Sequence, residues 1–219
     1  MKRSSVLFRS LSRAGSPFVL KSIFSATSMS SMSTKIPVRA TTILSVRKDD
    51  EVVLIGDGQV SYGPTIFKDN AKKVRKLENS EDVVIGFAGS AADAFTLMEL
   101  LEAECEKYPR QILRACINVA KLWRGREYKH LEASMLVVDS ENTIHLDGSG
   151  NVFDMTIPCT GIGSGGLYAQ SAAQALVDID GLTAEEIARK SMKIAADTCI
   201  YTNHNFVVEK LPNHAGQRS

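Results

Sequence analysis

No aspartate or glutamate occurs in the first forty residues of this 219-residue chain, although the chain carries 25 of them in all. The same forty residues hold seven basic side chains (Lys2, Arg3, Arg9, Arg13, Lys21, Lys35 and Arg39) and eleven serines. An acid-free, Arg- and Ser-rich leader has the composition of an organellar transit peptide, so residues 1–40 are expected to be removed and the body to reside in the mitochondrial matrix. A secretory signal fits worse, because Lys21 interrupts the apolar stretch around Phe18-Val19-Leu20. A retained basic tail or a nucleic-acid arm is the other reading of the same composition. Long apolar runs are missing as well: nothing approaches the roughly 18 residues that a membrane-spanning helix requires. Neither CxxC nor HExxH occurs, so the four cysteines (Cys105, Cys116, Cys159, Cys199) read as reduced, buried thiols and the four histidines as no metal centre of that type.

Taking the leader's seven from the chain's 26 basic residues leaves 19 against 25 acidic ones, a formal net charge of −6 for residues 41–219. An acidic body argues against nucleic acid as a partner. Its length suits one domain.

From Thr41 the sequence TTILSVRKDDEVVLIGDGQ reads as two β-rich runs around the polar turn Lys48-Asp49-Asp50, an opening antiparallel hairpin. After a basic stretch, KKVRKL, comes the apolar run DVVIGFAGS. Two helical stretches follow, one expected to turn Phe95, Met98, Leu101 and Cys105 inward, the other Ile112, Cys116, Val119 and Trp123; together they predict an antiparallel pair. Strands return with SMLVVDS, NTIHLDGSG and IPCTGIGSGG. LYAQSAAQALVDID reads as helix, Thr183-Ala184-Glu185-Glu186 as a capping box opening another, and NHNFVVEKL as a closing strand. Strands, two helices, strands, two helices is a segregated order, which points to stacked layers more than to βαβ repeats.

Gly161 to Gly166, GIGSGG, fits the dinucleotide pattern G-x-G-x-x-G, yet the helix after it leads to another helix where a parallel strand is required. The remaining explanation is close backbone approach at a turn. Asp57 sits between glycines at the end of an apolar run, Lys73 lies in a basic run and Ser164 in the glycine-rich turn. Taken singly, each has an ordinary structural explanation.

In combination, TTILSVRKDDEVVLIGDGQ, KDNAKKVRKL, GFAGSAADAFTLMELLE, GIGSGG and DTCIYTNH closely resemble the HslV (ClpQ-type) peptidases, a family similar to proteasome β subunits. The likeness runs from about Thr41 to about Leu211. Pro64 after Gly63, and a slightly longer ENSEDVV segment, depart from the family pattern without touching a matched catalytic position. The resemblance implies an α+β, four-layer αββα sandwich of the N-terminal nucleophile hydrolase type, with Thr41, Asp57, Lys73 and Ser164 at the catalytic positions. It also implies a structural monovalent cation, such as sodium, near the carbonyls of Ala196, Cys199 and Thr202. The implied assembly is two stacked hexameric rings of one subunit, fed with unfolded proteins by a hexameric HslU-type ATPase. A non-catalytic shell subunit and a small-molecule amidase are the rival readings, disfavoured by the presence of Thr41, Asp57 and Lys73 and by the full-length likeness.

A lone hydroxyl is a poor nucleophile at neutral pH, and a threonine at a chain terminus brings its own base. Its α-amine has an ordinary pKa of about 7.7–8.0, and an adjacent Lys73 ammonium would lower it by like-charge repulsion. Asp57 would hold Lys73 charged, Ser164 would tune the amine or relay its proton, and backbone N–H groups in a turn at Gly86 to Gly89 would stabilise the oxyanion. While the leader is attached, Thr41 has no free amine.

Overall fold

The computed structural model describes residues 41–78, 80–125 and 132–215; the leader, residues 1–40, lies outside them. In chain order the described elements are β1 (Thr42–Lys48), β2 (Glu51–Gly56), β3 (Val60–Tyr62), β4 (Thr65–Lys68), β5 (Val74–Leu77), β6 (Ser80–Gly89), α1 (Ala91–Lys107), α2 (Ile112–Gly125), β7 (Ala133–Val138), β8 (Thr143–Leu146), β9 (Val152–Asp154), β10 (Cys159–Gly163), α3 (Gly166–Leu176), α4 (Ala184–Thr198) and β11 (Val207–Pro212). One sheet has the order β10-β1-β2-β11 and another β5-β6-β7-β8-β9, every neighbouring pair being antiparallel.

Alternation along the strands builds the layers. In β1 and β2, Leu44, Val46, Val53 and Ile55 pack with Ala169, Ala173, Ile187 and Met192 of α3 and α4. Their neighbours Ile43, Val52 and Leu54 turn the other way, against Val84, Ala88, Leu136 and Val138 of the second sheet. On that sheet's far face Ile85, Phe87, Met135 and Val137 meet Leu97, Leu101, Cys116 and Val119 of α1 and α2. The layers therefore run helices, sheet, sheet, helices, as the resemblance implies. Gly86 permits the sheets to close: a Cβ there would lie 2.6 Å from Ile43 Cγ2.

The opening hairpin turns through Asp49 and Asp50, with Asp49 at φ 51°, a conformation that short polar Asp tolerates. α4 begins with the expected capping box, Thr183 and Glu186 exchanging bonds. Several details differ from the sequence reading. KKVRKL contains a strand, β5, because Val74 and Leu77 are buried while the cations between them lie towards solvent. Gly86 to Gly89 is the end of β6, not a turn. The inward face of α1 is Ala94, Leu97, Leu101 and Cys105; Phe95 is 46% exposed and lies under the Arg75 guanidinium, 5.3 Å from its ring centroid. In α2, Ile112, Cys116, Val119 and Trp123 are all buried, as their spacing predicts. Helix α3 ends at Leu176, short of Asp180.

Candidate active site

Hairpin register carries the first acid to the first strand. Lys48 pairs with Glu51 and Ile43 with Gly56, so the next step along both strands brings Thr42 opposite Asp57. Asp57 N–H donates to Thr42 O at 3.1 Å, and Thr42 N–H donates to Asp57 Oδ1 at 2.7 Å. The same oxygen, Oδ1, accepts from Lys73 Nζ at 2.8 Å. Lys73 arrives just ahead of β5, where its carbonyl takes the Phe87 N–H at 3.1 Å. Gly56 leaves room for this approach, since a Cβ there would sit 2.9 Å from Val74 Cγ2.

Asp57 and Lys73 are shielded from water, at 0% and 3% exposure. Burial lowers the Lys73 pKa from the ordinary lysine value, and the Asp57 carboxylate opposes that shift by charge and hydrogen bond. The ammonium also donates to Gln59 O. Asp57 Oδ2 is held by Gln59 N–H at 2.9 Å and Asn203 N–H at 3.3 Å. A carboxylate with this many donors is fixed in place.

Thr41 is buried immediately before β1, and its carbonyl accepts the Ser164 N–H at 2.8 Å. Ser164 therefore meets Thr41 through its backbone; its residue is exposed and lines a cavity of about 500 Å³ with Gly63, Tyr168, Cys199 and Tyr201. The glycines of GIGSGG serve close approach. Gly163 is at φ +85° with its absent Cβ position 2.1 Å from Thr41 O, and Gly161 abuts the Gly166 carbonyl in the same way. Strand β10 runs antiparallel to β1 and α3 leads into α4, so no dinucleotide-binding βαβ unit exists at this motif.

Ala196 lies in the last turn of α4, with Cys199 and Thr202 just beyond its C-terminal end. The Cys199 carbonyl accepts the Thr202 N–H at 3.0 Å and keeps a second lone pair. A helix C-terminus presents unpaired carbonyls and partial negative charge, the kind of donor a monovalent cation takes. Among the described residues no group of three His, Cys, Asp or Glu side chains could hold a metal, which leaves carbonyl oxygen as the donor type for such a site.

Sequence reasoning missed four positions that the fold draws into the site: Thr42, Gln59, Gly165 and Asn203. Asn203 Oδ1 accepts the Gly58 N–H at 3.0 Å, and its Nδ2 donates to Asp69 O at 2.7 Å, clasping the Asp57 turn from outside. Thr42 Oγ1 lies 2.7 Å from Thr202 Oγ1 and accepts the Gly165 N–H at 2.9 Å. The TT start, GDGQ, GIGSGG and TNH contain these residues, but only the register of distant strands relates them.

A family model described as proteasome subunit matches residues 38–211. The chain is 55% identical over 172 residues to the ATP-dependent protease subunit HslV of a Wolbachia species from Brugia malayi, covering 78% of this chain and 97% of that protein. It is equally identical, again over 172 residues, to the subunit of the same name from Paramagnetospirillum magneticum, with 94% of that protein covered. Among solved structures, eukaryotic HslV from Trypanosoma brucei superposes with a TM-score of 0.75 at 48% identity, covering 78% of this chain and 99% of that one. The family match, the shared fold and near-complete coverage of these relatives agree, and the chain belongs to the proteasome family, among the HslV-type peptidases.

Proposed function

We propose that this chain is the proteolytic subunit of an ATP-dependent protease, a threonine-type endopeptidase whose nucleophile is Thr41 once the leader is cut before it. The observation that carries the assignment of the nucleophile is the shared oxygen of Asp57, which holds both the Lys73 ammonium and the amide directly following Thr41. Such a pair sets a positive charge beside the position that a freed α-amine would occupy. That charge lowers the amine's pKa from its ordinary value of about 7.7–8.0, so the neutral amine can take the hydroxyl proton at physiological pH.

In this reading Thr41 Oγ attacks the peptide carbonyl, the proton passes to the Thr41 amine directly or through water, and the resulting acyl-enzyme is released by hydrolysis. Backbone N–H groups of the Gly86–Gly89 segment stabilise the oxyanion. The Phe87 amide is already given to Lys73 O, and Gly86 and Ala88 point the other way along the strand, to β7, so that role falls to Gly89. Ser164 anchors the Thr41 carbonyl through its own amide, and the residue lines the adjoining cavity.

The finer points of this reading rest on composition and on family likeness. The acid-free leader directs the precursor to the mitochondrial matrix and is removed there. Mature subunits assemble with one another as two stacked hexameric rings, and a hexameric HslU-type ATPase delivers unfolded proteins to them. A sodium-like cation bound by the Ala196, Cys199 and Thr202 carbonyls would stiffen the loop after α4 without entering the chemistry. N-terminal sequencing of the native protein, with peptide hydrolysis measured with and without the ATPase, tests the whole. The expected result is a chain beginning at Thr41, hydrolysis stimulated by the ATPase, and loss of at least about a thousandfold in Thr41→Ala with the fold retained. A native chain beginning at Met1 that cleaves peptides equally well alone would refute processing and activation together.

A further inference from the structure

We propose that the paired hydroxyls of Thr42 and Thr202 form a positioning linkage that aligns Thr41 with the Asp57–Lys73 pair; this rests on the threonine-peptidase reading above. Thr42 is completely buried. Each of its polar atoms is spent on the site: N–H and C=O on Asp57, Oγ1 on Gly165 N–H and on Thr202 Oγ1. Neighbouring amides thus grip neighbouring residues, Ser164 holding Thr41 O and Gly165 holding Thr42 Oγ1.

Space around the pair is reserved for it. Gly165 has φ −95°, which any residue can adopt, so its backbone does not demand glycine. A Cβ there would nevertheless sit 2.4 Å from Thr42 Oγ1 and 2.6 Å from Thr202 Oγ1. Any side chain at position 165 would wedge the two hydroxyls apart.

Thr202 belongs to a short loop that reaches the other half of the site. The next residue, Asn203, donates its N–H to Asp57 Oδ2, while Ile200 O accepts from Gln59 Nε2 at 2.9 Å, and Gln59 O in turn accepts from Lys73. One loop after α4 therefore touches Asp57, the carrier of Lys73 and, through the hydroxyl pair, the residue next to the nucleophile. This matters because a mature Thr41 is a chain terminus, and termini fray unless tied down. Thr42, directly beside it, is fully buried and held at its side chain by Gly165 and Thr202. A misplacement of about 1 Å between reacting groups can cost about a hundredfold in rate.

The test uses protein purified with Thr41 as its verified first residue, comparing Thr42→Val, Thr42→Ser, Thr202→Val and the Thr42→Val/Thr202→Val double variant. Both valine variants are expected to lose about tenfold to a hundredfold in kcat with KM within about twofold, because each leaves buried polar partners unpaired and loosens the terminus. Thr42→Ser restores activity to within about threefold. The double variant is no worse than about threefold below the poorer single one, since both break one linkage. Single valine variants within about threefold of the parent in kcat, a double loss equal to the product of the single losses, or serine no better than valine would each overturn the linkage. Should Thr42→Val fail to fold, Thr202→Val breaks the same bond with β1 untouched and decides the matter alone. A parent protein without peptide hydrolysis would overturn the peptidase reading itself, an outcome distinct from an active parent with insensitive variants.

Discussion

The two ends of β1 use the same device for different purposes. At one end Thr42 is buried and wired to the loops after β2, β10 and α4. At the other, Arg47 is buried with its guanidinium donating to Thr143 Oγ1 at 2.9 Å, to Asp139 O at 2.6 Å, to Ser140 O and Asn213 Oδ1 at 3.2 Å each, and to Asn142 O. Burial pushes the Arg47 pKa down to about 10, partly offset by Asp139 and Asp154, so it stays charged at neutral pH. The Arg47 end ties the first sheet to the β7–β8 turn and to the chain after β11. The Thr42 end ties together the groups to which the proposed mechanism assigns the reaction. Dense buried polar bonding is thus no marker of chemistry by itself; what distinguishes the Thr42 end is the buried Asp57–Lys73 ion pair beside the proposed nucleophile.

The largest break in this comparison is expected from Asp57→Asn. An amide can still accept from Thr42 N–H, but Lys73 loses its counter-charge in a buried site, and breaking a buried pair typically costs about 3–5 kcal/mol. Peptide hydrolysis should fall by at least about a hundredfold. Burial already lowers the Lys73 pKa, and without the opposing carboxylate it falls further, so the ammonium deprotonates at a lower pH than in the parent. An Asp57→Asn protein retaining half its activity would remove the ion pair from the mechanism.

Arg47→Met should have the converse effect. The stem volume is kept while several carbonyl acceptors lose their donor, a loss of about 2–4 kcal/mol in unfolding free energy. Activity per folded molecule should change by less than about twofold, because the substitution lies at the opposite end of β1. Urea unfolding and peptide hydrolysis on the same preparation check both halves. A variant that lost activity while keeping its stability would erase the contrast between the ends.

Much of this contrast was legible in sequence, unevenly. The hairpin turn at Asp49-Asp50 and the alternation of Leu44, Val46, Val53 and Ile55 are local, and they fix the register that brings Asp57 to Thr42. β5 was hidden because an antiparallel strand of four residues with two cations between its buried ends gives almost no periodic signal. The face of α1 was misjudged because small Ala94 turns inward while Phe95 finds Arg75 outside, a choice made by tertiary packing. Thr42, Asn203 and Gly165 were not legible as a group at all. Their bonds span more than a hundred residues of sequence.

The smallest expected effect concerns a partly buried polar contact on the second sheet, where Ser134 Oγ lies 2.7 Å from His145 Nε2 and Phe153 flanks the ring. Burial lowers the His145 pKa, with Asp147 opposing the shift. The unfolded chain then binds the proton more readily, so this histidine's share of stability is intact above its ordinary pKa of about 6.5 and is lost as pH falls from there to the lowered folded-state value. His145→Gln should therefore flatten the dependence of the unfolding midpoint on pH in that acidic window while leaving peptide hydrolysis at neutral pH unchanged. If hydrolysis followed the same titration, the second sheet would be coupled to the Thr42 end of β1, and the division between a chemical end and a structural remainder would fail.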